Sequence, residues 1–284
     1  MRDALIAQSR GECDTPMPMH LAVEDQDAEV HIKSSYRRGG KYFALKVAST
    51  FPRNAARGLS TGNGLMLLAS AETGEPVALL SDAGHLTDVR TAAVAAMTAR
   101  ELGRTDRVIG ILGTGIQARL QARLHAEVLP LERIWLWGRT PERVEECARE
   151  LESIAEVVVA DTPAEVARRT RLIVTATASR VPLLEEVAAG THISAVGSDS
   201  AGKQELAPGI LESASLVLAD SWKQCEKLGE LQHAAAEWDR SIEIGTFCES
   251  GDRPECFGIT VADFTGLGVE DLYIAEYCYE RTAA

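Results

Sequence analysis

Hydrophobic positions along the chain follow two rhythms. The opening stretch reads as a helix start, and alternation of period two follows. Glu29–Tyr36 alternates through Val30 and Ile32, and Tyr42–Ser49 sets Phe43, Leu45 and Val47 against Tyr42, Ala44 and Lys46. Gly64–Ala69 and Val77–Leu80 are short apolar runs on either side of Glu72-Thr73-Gly74-Glu75, a hairpin signal. Strands joined by tight turns predict an antiparallel meander. Thr87-Asp88 offers a helix cap, Ala-rich sequence runs to Leu102, and Gly103 closes the helix. Beyond it the rhythm changes. Apolar runs at Val108–Leu112, Ile134–Trp137, Val157–Ala160, Leu172–Thr175, Ile193–Val196 and Leu216–Ala219 alternate mostly with helical stretches. That is the βαβ signature of a parallel, doubly wound sheet. Val269–Thr282 reads as a last helix after Thr265-Gly266-Leu267-Gly268. The expected fold class is α/β, with the doubly wound sheet joined to a smaller α+β domain carrying an antiparallel sheet. The expected domains are residues 1–103 with 265–284, and residues 104–264, with the boundary near Gly103–Arg107.

Composition narrows the partners. The 284 residues are 45% hydrophobic and 25% charged, ordinary globular usage. Lys+Arg 29 against Asp+Glu 42 leaves a net charge of −13. Nucleic-acid binding, which draws most of its affinity from phosphate neutralisation, is disfavoured, and so is a polybasic membrane surface. No run approaches the roughly 18 apolar residues of a membrane span. Met1–Pro16 meets Arg, Asp and Glu before any apolar core could form, so no secretory signal is expected. Neither solenoid repeats nor low-complexity tracts occur. Cys13, Cys147, Cys225, Cys248, Cys256 and Cys278 form no Cys-x-x-Cys pair, which predicts ordinary thiols in a reducing cytoplasm. The six histidines show no metal-ligand spacing along the sequence, so no metal is expected.

The strongest motif follows the first apolar run of the second half. Gly113-x-Gly115-x-x-Ala118 comes directly after Val108–Leu112, with a helix beginning at Ile116. Gly113 permits a tight turn, Gly115 lets a pyrophosphate approach the main chain, and Ala118 lets the helix pack close. The helix amino terminus would face the phosphate charge. Alone the motif reads equally as a tight turn; the strand before it, the helix after it and the βα rhythm favour dinucleotide binding. Where an NAD site would place an acidic residue at the end of the second strand, Gly138, Arg139 and Thr140 stand instead, with Arg143 just beyond. A guanidinium beside a hydroxyl suits a 2′-phosphate, and hence NADP(H) over NAD(H). The other reading is a solvated turn before Pro141.

Further segments carry a family resemblance over nearly the whole chain. These are Lys46-Val47 with Phe51-Pro52 and Asn54, Leu86–Ala93 around Arg90, Gly110–Ala118, Thr175–Ser179, Val196–Leu206, Gly229-Glu230 and Gly268–Asp271. The chain resembles the ornithine cyclodeaminase/mu-crystallin family. The resemblance implies a homodimer, a nicotinamide-binding Rossmann domain at 104–264, and a separate substrate and dimerisation domain at 1–103 with 265–284. It implies cofactor contacts at Gly113, Thr114, Gly115, Ile116, Gln117, Ala118, Gly138, Arg139, Thr140, Arg143, Thr175, Ala176, Thr177, Ser179, Val196 and Gly197.

The same resemblance assigns chemistry to three residues that read blandly by themselves. Lys46 alone is a solvated strand lysine; the family makes it a contact to the substrate's carboxylate or imine. Arg90 alone is a surface arginine in a helix's first turn, where the dipole disfavours a cation. A bound carboxylate there would satisfy both the arginine and the helix end. Asp199 alone is a turn aspartate; the family makes it the acid/base carboxylate, with Lys203 orienting it or binding substrate. The three are expected to gather around a docked nicotinamide. Two departures stand out. Family members carry a further amino-terminal stretch, whereas this chain starts at the helix that follows it. Many have an arginine in a Pro-Pro-Arg-like segment, where this chain has Thr15-Pro16-Met17-Pro18-Met19-His20. The leading expectation is an NAD(P)H-dependent imine (ketimine) reductase of a small amino or imino acid. The alternatives are a cyclodeaminase using bound NAD and a non-catalytic NADPH-dependent binding protein.

Overall fold

A computed structural model describes residues 1–234, 241–251 and 258–282 of the chain; Cys256 lies outside the described residues. In chain order the elements begin α1 (Arg2–Ser9), β1 (Cys13–Asp14), β2 (Met19–Val23), β3 (Ala28–Arg37), β4 (Tyr42–Thr50), β5 (Gly62–Ser70), β6 (Pro76–Leu80) and α2 (His85–Glu101). They continue β7 (Val108–Leu112), α3 (Ile116–Ala126), β8 (Arg133–Trp137), α4 (Pro141–Leu151), β9 (Glu156–Val159), α5 (Pro163–Arg169), β10 (Leu172–Thr175), β11 (Arg180–Leu184), β12 (His192–Ala195) and β13 (Gln204–Leu206). The last are α6 (Pro208–Ser213), β14 (Ala214–Ala219), α7 (Trp222–Leu228), β15 (Ser241–Glu243), α8 (Ile244–Ser250), β16 (Ile259–Asp263) and α9 (Gly268–Thr282). They form two compact units, Met1–Arg90 with Leu267–Ala284, and Thr91–Gly266.

The first unit is built on a six-stranded antiparallel sheet ordered β1-β3-β4-β5-β6, with β2 paired only to β3. Alternation fixes its register: Lys33 stands opposite Lys46, and Lys46 opposite Met66. One face takes α9, whose Leu272 and Ala275 pack on Ala44, Met66 and Leu68. At Gly268 a side chain would strike the Ser34 backbone, so the missing Cβ lets α9 begin directly against β3. The helix α2 begins two residues earlier than Thr87-Asp88 predicts. Asp82 supplies the capping carboxylate, accepting from the Leu86 N–H, and Arg90 therefore sits in the second turn rather than the first.

The second unit carries an eight-stranded, all-parallel sheet ordered β15-β14-β16-β12-β10-β7-β8-β9. The α/β class and the doubly wound sheet are as the apolar runs predict. β15, β16 and the small β11–β13 pair are elements the runs do not announce. The chain winds away from β7 in both directions, towards β8 and β9 on one side and towards β10 and β12 on the other. A crevice at the carboxyl ends of β7 and β10 is the geometric consequence, and such switch points are where ligands bind in open α/β sheets. Ile173, Ile193, Val217 and Val261 from the central strands form the core of this unit. Among the described residues there is no disulfide, and no helix is long and apolar enough to cross a membrane.

Candidate functional site

The glycine loop occupies the switch point of the second unit. β7 ends at Leu112, and the Gly113 N–H donates to the Trp137 carbonyl at 2.9 Å, tying the turn to the end of β8. Gly113 has φ +126° and lies so close to the Ala176 carbonyl, after β10, that a Cβ would overlap it. Only glycine fits there. Gly115 then caps α3 without any side-chain hydrogen bond, and a Cβ on it would meet nothing. Gly115 and Ile116 are exposed, Thr114 and Gln117 half-buried, and Ala118 buried against the strand. A helix start with an open approach and no capping side chain is what a pyrophosphate requires, so these residues fit a dinucleotide. The sequence reading misses Arg119, which holds the loop from behind. Its guanidinium donates to the Thr114 carbonyl at 2.7 Å and pairs with Glu150 of α4 at 2.7 Å.

At the end of β8, Gly138 leaves room for the Thr114 and Val144 side chains. Arg139, Thr140 and Arg143 are all exposed, Thr140 being the residue that caps α4. Beyond β10 and β12, Thr175 and Val196 are buried, whereas Ala176, Thr177, Ser179 and Gly197 are partly exposed. A buried carboxylate joins these two loops. Glu205 accepts from the Thr177 N–H and hydroxyl, both at 2.7 Å, and from the Gly197 N–H at 2.9 Å.

Glu205 begins a series of buried acids at the carboxyl end of the sheet. Glu230 accepts the backbone N–H groups of Glu205 and Leu206. Asp263 accepts those of Glu230 and Leu231, each at 3.0 Å. Asp220 takes those of Thr265 and Gly266. Burial pushes three of them up: Glu205 is raised, Glu230 reaches about 9 with the Asp263 and Glu205 charges adding to burial, and Asp263 reaches about 7. For Asp263 the donated backbone N–H bonds oppose the rise without cancelling it.

Asp199 sits in the loop after β12, its side chain 45% exposed. Its Oδ1 accepts from Lys203 Nζ at 2.6 Å and from the Ser200 hydroxyl at 3.0 Å. The loop itself is clamped by Gln232, which accepts from the Gly202 N–H at 2.7 Å and donates to the Ser200 and Lys203 carbonyls at 3.3 Å. The Asp199–Lys203 pairing follows the expected orientation; the Gln232 clamp had no signal in the sequence.

The first unit holds Lys46 and Arg90. Lys46 is 2% exposed, so it is not the solvated strand lysine that its residue type and position alone imply. The Asp271 carboxylate reaches both cations: Oδ2 lies 3.0 Å from Lys46 Nζ, and Oδ1 accepts from Arg90 Nε at 3.1 Å. Glu270 takes a second nitrogen of Arg90 at 2.7 Å. Both acids lie in the first turn of α9, where the helix dipole also favours them. Burial pulls Lys46 down to about 7; Asp271 opposes that, while the Arg90 and Lys33 charges reinforce it. Asp271 itself lies below the usual carboxylate range, because Lys46 and Arg90 outweigh its burial. The sequence gives no role to Glu270 or Asp271, since an acidic pair in a helix's first turn has a sufficient explanation in the dipole alone.

Comparison with known proteins bears on the chain as a whole. A model of the ornithine cyclodeaminase/mu-crystallin family matches residues 1–284. A putative dehydrogenase of Rhizobium meliloti (strain 1021) is 38% identical, covering 100% of this chain and 90% of the relative. The crystal structure of the iminosuccinate reductase of Paracoccus denitrificans in complex with NAD+ superposes with TM-score 0.85 at 28% identity, over 98% of this chain and 88% of that one. A lysine cyclodeaminase structure, solved for its recognition of L-lysine, L-ornithine and L-2,4-diamino butyric acid, superposes with TM-score 0.89 at 32% identity, over 99% and 84%.

Proposed function

Since the chain belongs to the ornithine cyclodeaminase/mu-crystallin family, we propose that it is a nicotinamide-dependent oxidoreductase at the α C–N bond of a small amino or imino acid. It works as an imine (ketimine) reductase and prefers NADP(H) to NAD(H). The observation that carries the reading is Lys46, a buried lysine held beside Arg90 and pulled down to about 7 by burial and neighbouring cations. A substrate carboxylate supplies the negative charge that favours the protonated lysine. Lys46 and Arg90 hold that carboxylate, and Lys203 keeps Asp199 in place. Asp199 gives a proton to the imine nitrogen, so that C=N becomes CH–NH. The loop Gly113–Ala118, with Thr175–Ser179 and Val196-Gly197 on the nicotinamide side, would hold the dinucleotide, whose chemistry when bound would be hydride supply to carbon. The preference for NADP(H) rests on Arg139 and Thr140, exposed where an NAD site would carry an acid. We place the enzyme in the cytoplasm as a homodimer, which light scattering checks.

The likeness to the lysine cyclodeaminase favours a second reading, ammonia loss from a diamino acid with no net cofactor turnover. One assay separates the two. Purified protein is given small cyclic and alkyl imino acids with NADPH, and separately ornithine and lysine with NAD+. NADPH oxidation without ammonia release supports the reductase. Ammonia release at constant cofactor absorbance replaces it with the cyclodeaminase, and silence in both arms defeats the proposal.

A further inference from the structure

Sheet register in the first unit assembles a group of ligands that linear spacing conceals. β2 and β3 run antiparallel, and His20 stands directly opposite His31. Glu29 precedes His31 by two residues and so shares its face of the sheet. Glu29 Oε2 lies 3.4 Å from His20 Nε2 and 3.6 Å from His31 Nε2. The two rings have centroids 5.0 Å apart at an angle of 55°, and one ligand atom from each of the three residues falls within 4.8 Å of the others. Nitrogen and oxygen ligands bound tetrahedrally to zinc at about 2.0–2.2 Å stand about 3.4 Å from one another. The two carboxylate–imidazole distances are already at that spacing.

We propose that His20, Glu29 and His31 form a binding site for a divalent transition-metal ion of the zinc type. Two imidazoles and one carboxylate suit zinc better than the all-oxygen preference of calcium or magnesium. Three protein ligands leave a fourth position for water or a small anion, the pattern of an open site rather than a closed structural one. A bound ion bridges β2 to β3, the one strand that β2 pairs with among the described residues. The site shares the sheet face of Lys46: His31 and Lys33 alternate along β3, and Lys33 stands opposite Lys46. The proposal is independent of the reaction assigned above.

Calorimetric titration of the EDTA-treated full chain with zinc chloride tests it, alongside His20→Ala, Glu29→Gln and His31→Ala. Loss of an outer-sphere partner costs ten- to a hundred-fold in metal affinity, so loss of a direct ligand is expected to weaken zinc by at least about ten-fold. Each variant's circular dichroism checks that the sheet is intact. Hydrogen exchange gives the second readout: zinc should slow exchange of the Met19–Val23 amides in the wild-type chain and leave them unchanged in His31→Ala. No stoichiometric binding would overturn the site, leaving a surface histidine–glutamate cluster. Binding undiminished in the His20 and His31 variants would overturn it equally, by placing the ion elsewhere on the chain.

Discussion

At the scale of single residues, Lys46 couples the first unit to pH. Its neighbours are Asp271, Arg90 and, across the ladder, Lys33. Only the protonated lysine grips a carboxylate, and its pKa of about 7 means that the free enzyme loses the charge as pH rises through neutrality. The value of kcat/KM follows groups on free enzyme and free substrate, so it should fall above about pH 7. In Lys46→Arg the cation cannot be lost, and that limb should disappear even if the overall rate is lower. A limb of unchanged position in Lys46→Arg would take Lys46 out of carboxylate binding. Arg139 makes a simpler prediction. A charge-assisted contact to a 2′-phosphate is worth about 1.5–3 kcal/mol, so Arg139→Ala should weaken NADPH by roughly ten- to a hundred-fold and leave NADH nearly unaffected. Fluorescence titration of both cofactors measures the ratio, and equal losses would refute the preference.

At the scale of elements, α9 is the support for both buried cations, through two acids in one turn. Removing one partner of a buried ion pair leaves the other charged and desolvated, at a cost of about 3–5 kcal/mol. Asp271→Asn should show a loss of that order in denaturant unfolding, and Lys46→Met in that background should recover part of it. The turn after β7 is as demanding. Gly113→Ala puts a methyl group against the Ala176 carbonyl at φ +126°, strain on the order of 1–3 kcal/mol, and dinucleotide affinity should fall with it. These two elements also show where the sequence is legible. Gly113, Gly115 and Ala118 are readable because one strand, one turn and one helix, all contiguous, define their chemistry. Lys46 is unreadable alone because its burial depends on a helix more than two hundred residues later in the chain. The resemblance includes Gly268–Asp271 and assigns roles to Lys46 and Arg90, but none to the Asp271 that joins them. β16 escapes because Ile259–Asp263 is short and ends in Asp263, a polar residue that accepts backbone N–H groups rather than facing solvent. The start of α2 is misplaced because Asp82 caps it from outside the expected Thr87-Asp88 box.

At the scale of the whole molecule, the two units should answer pH in opposite senses. Stability rises with pH wherever the unfolded chain binds more protons than the folded one, and falls where it binds fewer. In Thr91–Gly266, Asp263 rises from 3.8 to about 7 and Glu230 from 4.5 to about 9. Between those limits the folded unit holds protons that the unfolded chain has released. These two acids lower its stability as pH climbs towards 9, by at most about 1.4 kcal/mol per pH unit for each group in its window; the buried His125 and His192, lowered from 6.5 to about 4 and about 3, act in the opposite sense below about pH 6.5, so the net decline falls between about pH 6.5 and 9. In the other unit Lys46 falls from 10.5 to about 7. There the unfolded chain binds the extra proton, so stability increases from about pH 7 to about 9, above which Cys13, raised by burial from 9.0 to about 11, acts in the opposite sense. Hydrogen exchange resolved by segment reads each unit by itself. Protection of β12 and β16 should weaken between about pH 6.5 and 9 after correction for intrinsic exchange, and that of β4 should strengthen above pH 7. The double substitution Glu230→Gln with Asp263→Asn should flatten the first trend without touching the second, and Lys46→Met the reverse. Parallel trends in both units would mean that the acids at the sheet's carboxyl end are ionised in the folded chain, held charged by the backbone N–H groups they accept.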